Sequence, residues 1–122
     1  MPTNRKLTKN SHFPLARVKA LAADLAIKTK GRTASTNVDT YFGGIRGLAA
    51  VIAQLEDEDF RQTKTDDLPN GYEFADDYLI CTDSDFKRQK TNNHDMGLTV
   101  YYLKFAIQDD LVVVMFSNHP SR

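Results

Sequence analysis

Residues 98–107 and 111–116 are two runs rich in β-branched and aromatic side chains, split by Gln108-Asp109-Asp110. That pattern reads as an antiparallel hairpin and commits the C-terminal part of the chain to sheet. Side chains two apart in a strand share a face. Thr99, Tyr101, Leu103 and Phe105 therefore make a core face, and Tyr102 and Lys104 point away from it.

The N-terminal half carries the helical period instead. Pro14 suits a first turn, where its missing N–H costs nothing. Leu15, Val18, Leu21, Ala22 and Leu25 follow at helical spacing and predict a helix over residues 15–28, with Gly31 as its stop. Residues 33–43 read as a loop or one helical turn. Ile45, Leu48, Ile52 and Leu55 fall on one face and predict a second helix over 44–55. The cluster Glu56, Asp57, Glu58 and Asp59 opposes a helix C-terminus, so the helix stops before it. After the turn signal Pro69-Asn70-Gly71, Tyr72-Glu73-Phe74 and Tyr78-Leu79-Ile80-Cys81 are short strand candidates around an acidic turn. The expected fold class is α+β, two N-terminal helices packed on a small antiparallel sheet. Residues 1–10 read as a loose polar N-terminus and 11–122 as one domain.

Bulk properties narrow the function. A chain of 122 residues with 41% hydrophobic and 26% charged side chains suits one globular domain. No apolar run approaches the ~20 residues that span a bilayer, so no membrane partner is expected. The basic start MPTNRKLTKN lacks a following apolar stretch, which argues against a secretory signal. The single cysteine, Cys81, has no internal disulfide partner and fits a reducing cytoplasm. Zero formal net charge argues against a general, salt-driven nucleic-acid binder. The charge is nonetheless uneven. Residues 1–33 hold eight basic side chains against Asp24, whereas 56–77 hold nine acids against Arg61 and Lys64. The basic third either attracts phosphate or an acidic partner, or is a solvated surface.

Three blocks occur in one order: His12-x-x-Leu15-x-x-Val18-Lys19-x-Leu21, then Gly47-x-x-x-Val51-Ile52-x-x-Leu55-x-x-x-Asp59-Phe60-x-x-x-x-Thr65, then Tyr102-Leu103-Lys104 before a strand ending in Phe116. Asp76-x-Tyr78 is a weaker fourth. Together they cover about half the chain and resemble the MqsR family of bacterial ribonuclease toxins. The resemblance implies a RelE-like fold and a sequence-specific, ribosome-independent mRNA endonuclease. It also implies a cognate antitoxin, encoded beside the toxin, that binds zinc and carries a helix-turn-helix. The toxin itself would need no metal and no cofactor. Gln62 stands where the family has a catalytic lysine, with Lys64 nearby. Ala75 replaces a family glutamine, and Ser117 replaces a second lysine. The family's strand tyrosine is kept as Tyr102.

Metal-free RNA cleavage uses the substrate's 2′-OH as nucleophile. It needs one group to accept that proton, one to protonate the leaving 5′-oxygen, and positive charge beside the phosphorane. Tyr102, Lys64 and His119 are the candidate catalytic residues. Lys104, Gln62, Ser117, Lys87, Arg88 and Arg122 are the candidate RNA contacts. The basic loop of Lys87, Arg88 and Lys90, with Asn92, Asn93 and His94, would clamp single-stranded RNA while Tyr72, Phe74 or Tyr78 stacks on bases. Bland alternatives stand beside each: a half-exposed strand face for Tyr102 and Lys104, a surface loop for Lys64, Lys87 and Arg88, a frayed terminus for His119 and Arg122, capping or packing for His12. The aspartates lack metal-ligand spacing, and Cys81 sits in an apolar run that suits packing. Two further readings stay open: a toxin-like scaffold that binds without cleaving, favoured by the replaced lysines, and an unrelated α+β domain.

Overall fold

In the computed structural model, which describes residues 11–90, 97–115 and the backbone of 119–120, Pro14 leads into helix α1, Leu15–Ala23. The expected loose segment 1–10 lies outside the described residues. Helix α1 stops short of residue 28. Leu25 turns to φ 58°, and the Ala26 N–H returns to the Leu21 carbonyl at 2.9 Å, a Schellman-type closure. The released chain forms strand β1, Ile27–Thr29. Its partner is β5, Leu111–Val114, and the two run parallel with Ile27 opposite Val112. The sheet is therefore mixed, not antiparallel as expected, because burying Ile27 beside Val112 outweighs extending the helix.

The region expected as a loop is helix α2, Arg32–Phe42. Ala34, Val38 and Phe42, four residues apart, are its buried positions, and the rest is polar. Gly43 and Gly44 take φ 71° and 113° to break it. Helix α3, Ile45–Ile52, follows with Leu48, Ala49, Val51 and Ile52 buried. Among the described residues there are thus three helices, not two, and β1 falls between the first and the second.

A 3-10 turn at Asp57–Asp59 leads into β2, Phe60–Lys64. Strand β3 is Ala75–Thr82, β4 is Thr99–Gln108, and β6 is His119–Pro120. The order is β1-β5-β4-β3-β2, with β6 adding a short pairing to β4. The β4–β5 hairpin turns at Asp109 and Asp110, with φ 56° and 59°, the primed turn that matches strand twist. Tyr72-Glu73-Phe74 is not a strand, and Asp76 and Asp77 lie inside β3 instead of a turn.

The helices cover one face of the sheet. Val18, Leu21, Phe42, Leu48, Ile52 and Leu55 meet Tyr78, Ile80, Tyr101, Leu103 and Phe105 there. Asp76 points into this side and is fully buried. Its carboxylate accepts the His12 and Phe13 N–H groups at 3.0 and 2.9 Å and the Thr63 hydroxyl at 2.6 Å. The segment before α1 is thereby tied to β2 and β3. Among the described residues no helix is long and apolar enough to cross a membrane.

Gly47, which opens the second sequence block, has a steric reason to be glycine. A Cβ there would lie 1.8 Å from the Phe42 carbonyl oxygen, at the α2–α3 junction. Gly47→Ala is expected to destabilise the fold by about 3 kcal/mol, read from the shift in urea unfolding midpoint at constant slope.

Candidate functional site

Strand alternation that turns Tyr101, Leu103 and Phe105 toward the helices turns Tyr102, Lys104 and Ala106 to the opposite face. Antiparallel register extends that face sideways. Gln62 of β2 pairs with Asp77 of β3, after a register shift that follows Phe60. Asp77 pairs with Lys104 of β4, and Leu79 with Tyr102. Lys64 is opposite Ala75, and the His119 backbone of β6 is opposite Tyr102. One row therefore reads Gln62, Asp77, Lys104, with Lys64 and Tyr102 in the flanking rows.

The row is electrostatically coupled. The Gln62 Nε2 donates to Asp77 Oδ2 at 3.1 Å. The other oxygen, Oδ1, is buried with no hydrogen-bond partner among the described residues. Burial pushes the Asp77 carboxyl above its ordinary value. The Gln62 hydrogen bond and the charges of Lys104 and Lys64 pull it down, and Asp76 adds to the rise. Lys104 is only 7% exposed, whereas Tyr102 is 38% exposed. The Lys64 ammonium lies 3.8 Å from Asp66 Oδ1. A carboxyl of raised proton affinity beside two cations and an accessible phenol can exchange a proton with a bound group and neutralise an anion.

No protein-family model matches the chain, and no curated protein matches it.

Of the residues singled out in the sequence, Gln62, Lys64, Tyr102 and Lys104 come to one face, and His119 is registered beside them. Lys64 sits at the end of a strand, not in a loop. Arg88, an expected RNA contact, is tied within the fold. Its guanidinium bonds Asp59 Oδ1 at 2.8 Å and Glu58 Oε2 at 2.9 Å, with Glu56 at 3.7 Å. Those carboxylates raise its proton affinity further. Lys87 is exposed on the loop after β3, where its N–H bonds Asp83 Oδ1. Tyr78 is corrected as a base-stacking candidate, being 1% exposed and stacked on Phe105. Its phenol is pushed up to about 12, mainly by burial. Cys81 is buried, and burial pushes its thiol up. Ser117, Arg122, Asn92, Asn93 and His94 lie outside the described residues. No group of three or more potential metal ligands occurs among the described residues.

Asp77 was not singled out in the sequence. Its partners Gln62 and Lys104 are fifteen and twenty-seven positions away along the chain, and nothing local in Asp76-Asp77 distinguishes the two carboxylates. The signal available was alternation along β3, which sends one inward and one outward.

The folded protein holds the Asp77 proton more tightly than the unfolded chain. Folding therefore takes up a proton between the ordinary carboxylate value and the raised one, and stability falls as pH rises through that window. Asp77→Asn is expected to flatten this slope, measured as melting temperature from about pH 4 to about pH 7. Arg88→Ala is expected to cost about 3 kcal/mol in denaturant unfolding, since it strands carboxylates around a side chain only 14% exposed.

Proposed function

We propose that this protein is a metal-independent endoribonuclease that cuts single-stranded mRNA without the ribosome, the toxin of a toxin–antitoxin pair similar to the MqsR family. The observation that carries the reading is the sheet face, clear of helices among the described residues, on which Gln62, Asp77 and Lys104 stand in one row between Lys64 and Tyr102.

The Asp77 carboxylate accepts the proton of the substrate's 2′-OH, a role its raised proton affinity suits. The 2′-oxygen attacks phosphorus, the bond from phosphorus to the 5′-oxygen breaks, and a 2′,3′-cyclic phosphate remains. The leaving 5′-oxygen takes a proton from Tyr102 or from His119, the two residues registered opposite each other on β4 and β6. Lys64 meets the phosphate, with its ammonium drawn from Asp66. Lys104 supplies fixed charge from beneath, and Gln62 orients Asp77. The antitoxin, a neighbouring gene's product acting in the same cytoplasm, silences the face by binding the toxin.

Induced expression in bacteria is expected to arrest growth and to yield transcript fragments with 5′-hydroxyl ends at one short motif, mapped by sequencing. Chelators are expected to leave cleavage by the purified protein intact. Asp77→Asn is expected to lower kcat about a hundredfold or more, and Tyr102→Phe with His119→Ala assigns the second proton. Unimpaired growth with intact transcripts, despite confirmed expression, sinks the proposal. A second reading, RNA binding without cleavage, is favoured by the burial of Lys104. It expects bound RNA and no new 5′ ends.

A further inference from the structure

At one end of the same sheet face, residues 71–74 curl beside β4 and wall a cleft of about 510 Å³. It is lined by His12, Phe13, Tyr72, Phe74, Ala106 and Gln108, among others. None of these takes part in the chemistry above. The volume lies within the range of small-ligand pockets, about 300–1,000 Å³.

The cleft is built before any ligand arrives. The His12 ring lies flat on Phe74, with centroids 3.9 Å apart and planes 13° apart. Phe13 meets His12 edge-on at 4.7 Å. Asp76 holds the backbone N–H groups of both His12 and Phe13, so this aromatic wall is bolted to the residue next to Asp77. Gln108 Nε2 donates to the Gly71 carbonyl at 3.2 Å and fixes the opposite wall. Tyr72 packs against Ala75, Ala106 and Met115, with the Lys30 ammonium 6.0 Å from its ring centre.

The position gives the cleft its meaning. Ala106 lies at the cleft and Lys104 in the reactive row, two residues apart on the same face of β4. That is about 7 Å, the order of one nucleotide step along an extended single strand. Aromatic rings stack on any base, and a nearby lysine meets the backbone phosphate. Resting on the endoribonuclease reading, we propose that this cleft is a nucleobase subsite, holding the base of the nucleotide next to the scissile phosphate against His12, Tyr72 and Phe74.

The test uses the full chain and a fluorescein-labelled oligonucleotide spanning the mapped cut site, with 2′-O-methyl groups that prevent cleavage. Anisotropy gives Kd for the wild type, Phe74→Leu and His12→Ala. Each variant is checked for an unchanged melting temperature. His12→Ala keeps the backbone bond to Asp76, so it stands in if Phe74→Leu unfolds. The variants are expected to raise Kd about tenfold. Removing one base from the oligonucleotide, at one position beside the cut site, is expected to raise wild-type Kd by a similar factor and variant Kd no further. If a folded variant binds as the wild type does, or if every base removal costs the same in variant and wild type, the subsite is overturned while the nuclease reading stands. If the wild type neither binds nor cuts, both fall.

Discussion

Strand β4 sets the two-residue alternation that every other part of the sheet obeys. It pairs with β3 over seven residues, with β5 over four and with β6 over two. Its inward side chains, Tyr101, Leu103 and Phe105, are at most 6% exposed, which fixes the register strongly. A slip of one residue would drive Lys104 among the helices and take Leu103 out of the core they share with the sheet. The outer row of Gln62, Asp77 and Lys104 is thus a geometric consequence of the apolar packing behind it. The core selects the register, and the register assembles the polar face.

Neighbouring carboxylates show how far environment separates identical groups. Asp76 faces the helices and receives three hydrogen bonds. Asp77 faces outward, receives one from Gln62, and keeps a buried oxygen with no partner among the described residues. The first is structural cement between the entry to α1 and the sheet. The second is left with an elevated proton affinity by desolvation, a state that costs stability and suits reactivity. Arg88, with its three acidic partners, anchors the loop after β3 to the turn before β2 and so steadies that edge of the sheet.

The elements legible in the sequence were those whose burial follows a strong local period. Leu15, Val18, Leu21 and Ala22 marked α1, Leu48 and Ile52 marked α3, and β4 with β5 stood out as a hairpin. The outward placement of Tyr102 was legible for the same reason. Helix α2 was hidden because only Ala34, Val38 and Phe42 are buried along eleven mostly polar residues. Strand β1 was hidden inside an apparent continuation of α1, since its partner Val112 lies far downstream. Strand β2, Phe-Arg-Gln-Thr-Lys, is an edge strand with little buried surface and no apolar run to announce it. The union of Gln62, Asp77 and Lys104 depends on two strand pairings at once, which no local window contains. The pairing of Arg88 with Glu56, Glu58 and Asp59 was hidden because charge in a sequence does not disclose which cations are already engaged.

The parallel pairing of β1 with β5 also governs when the molecule comes into being. Synthesis delivers Ile27–Thr29 early, whereas the strand it rests on, Leu111–Val114, emerges only after β2, β3 and β4. Until then β1 has no ladder, and the entry segment cannot be tied to Asp76 before β3 exists. Contacts so distant along the chain close slowly and late. A nascent chain therefore carries an unfinished sheet through most of its translation, and the polar face assembles only near the end.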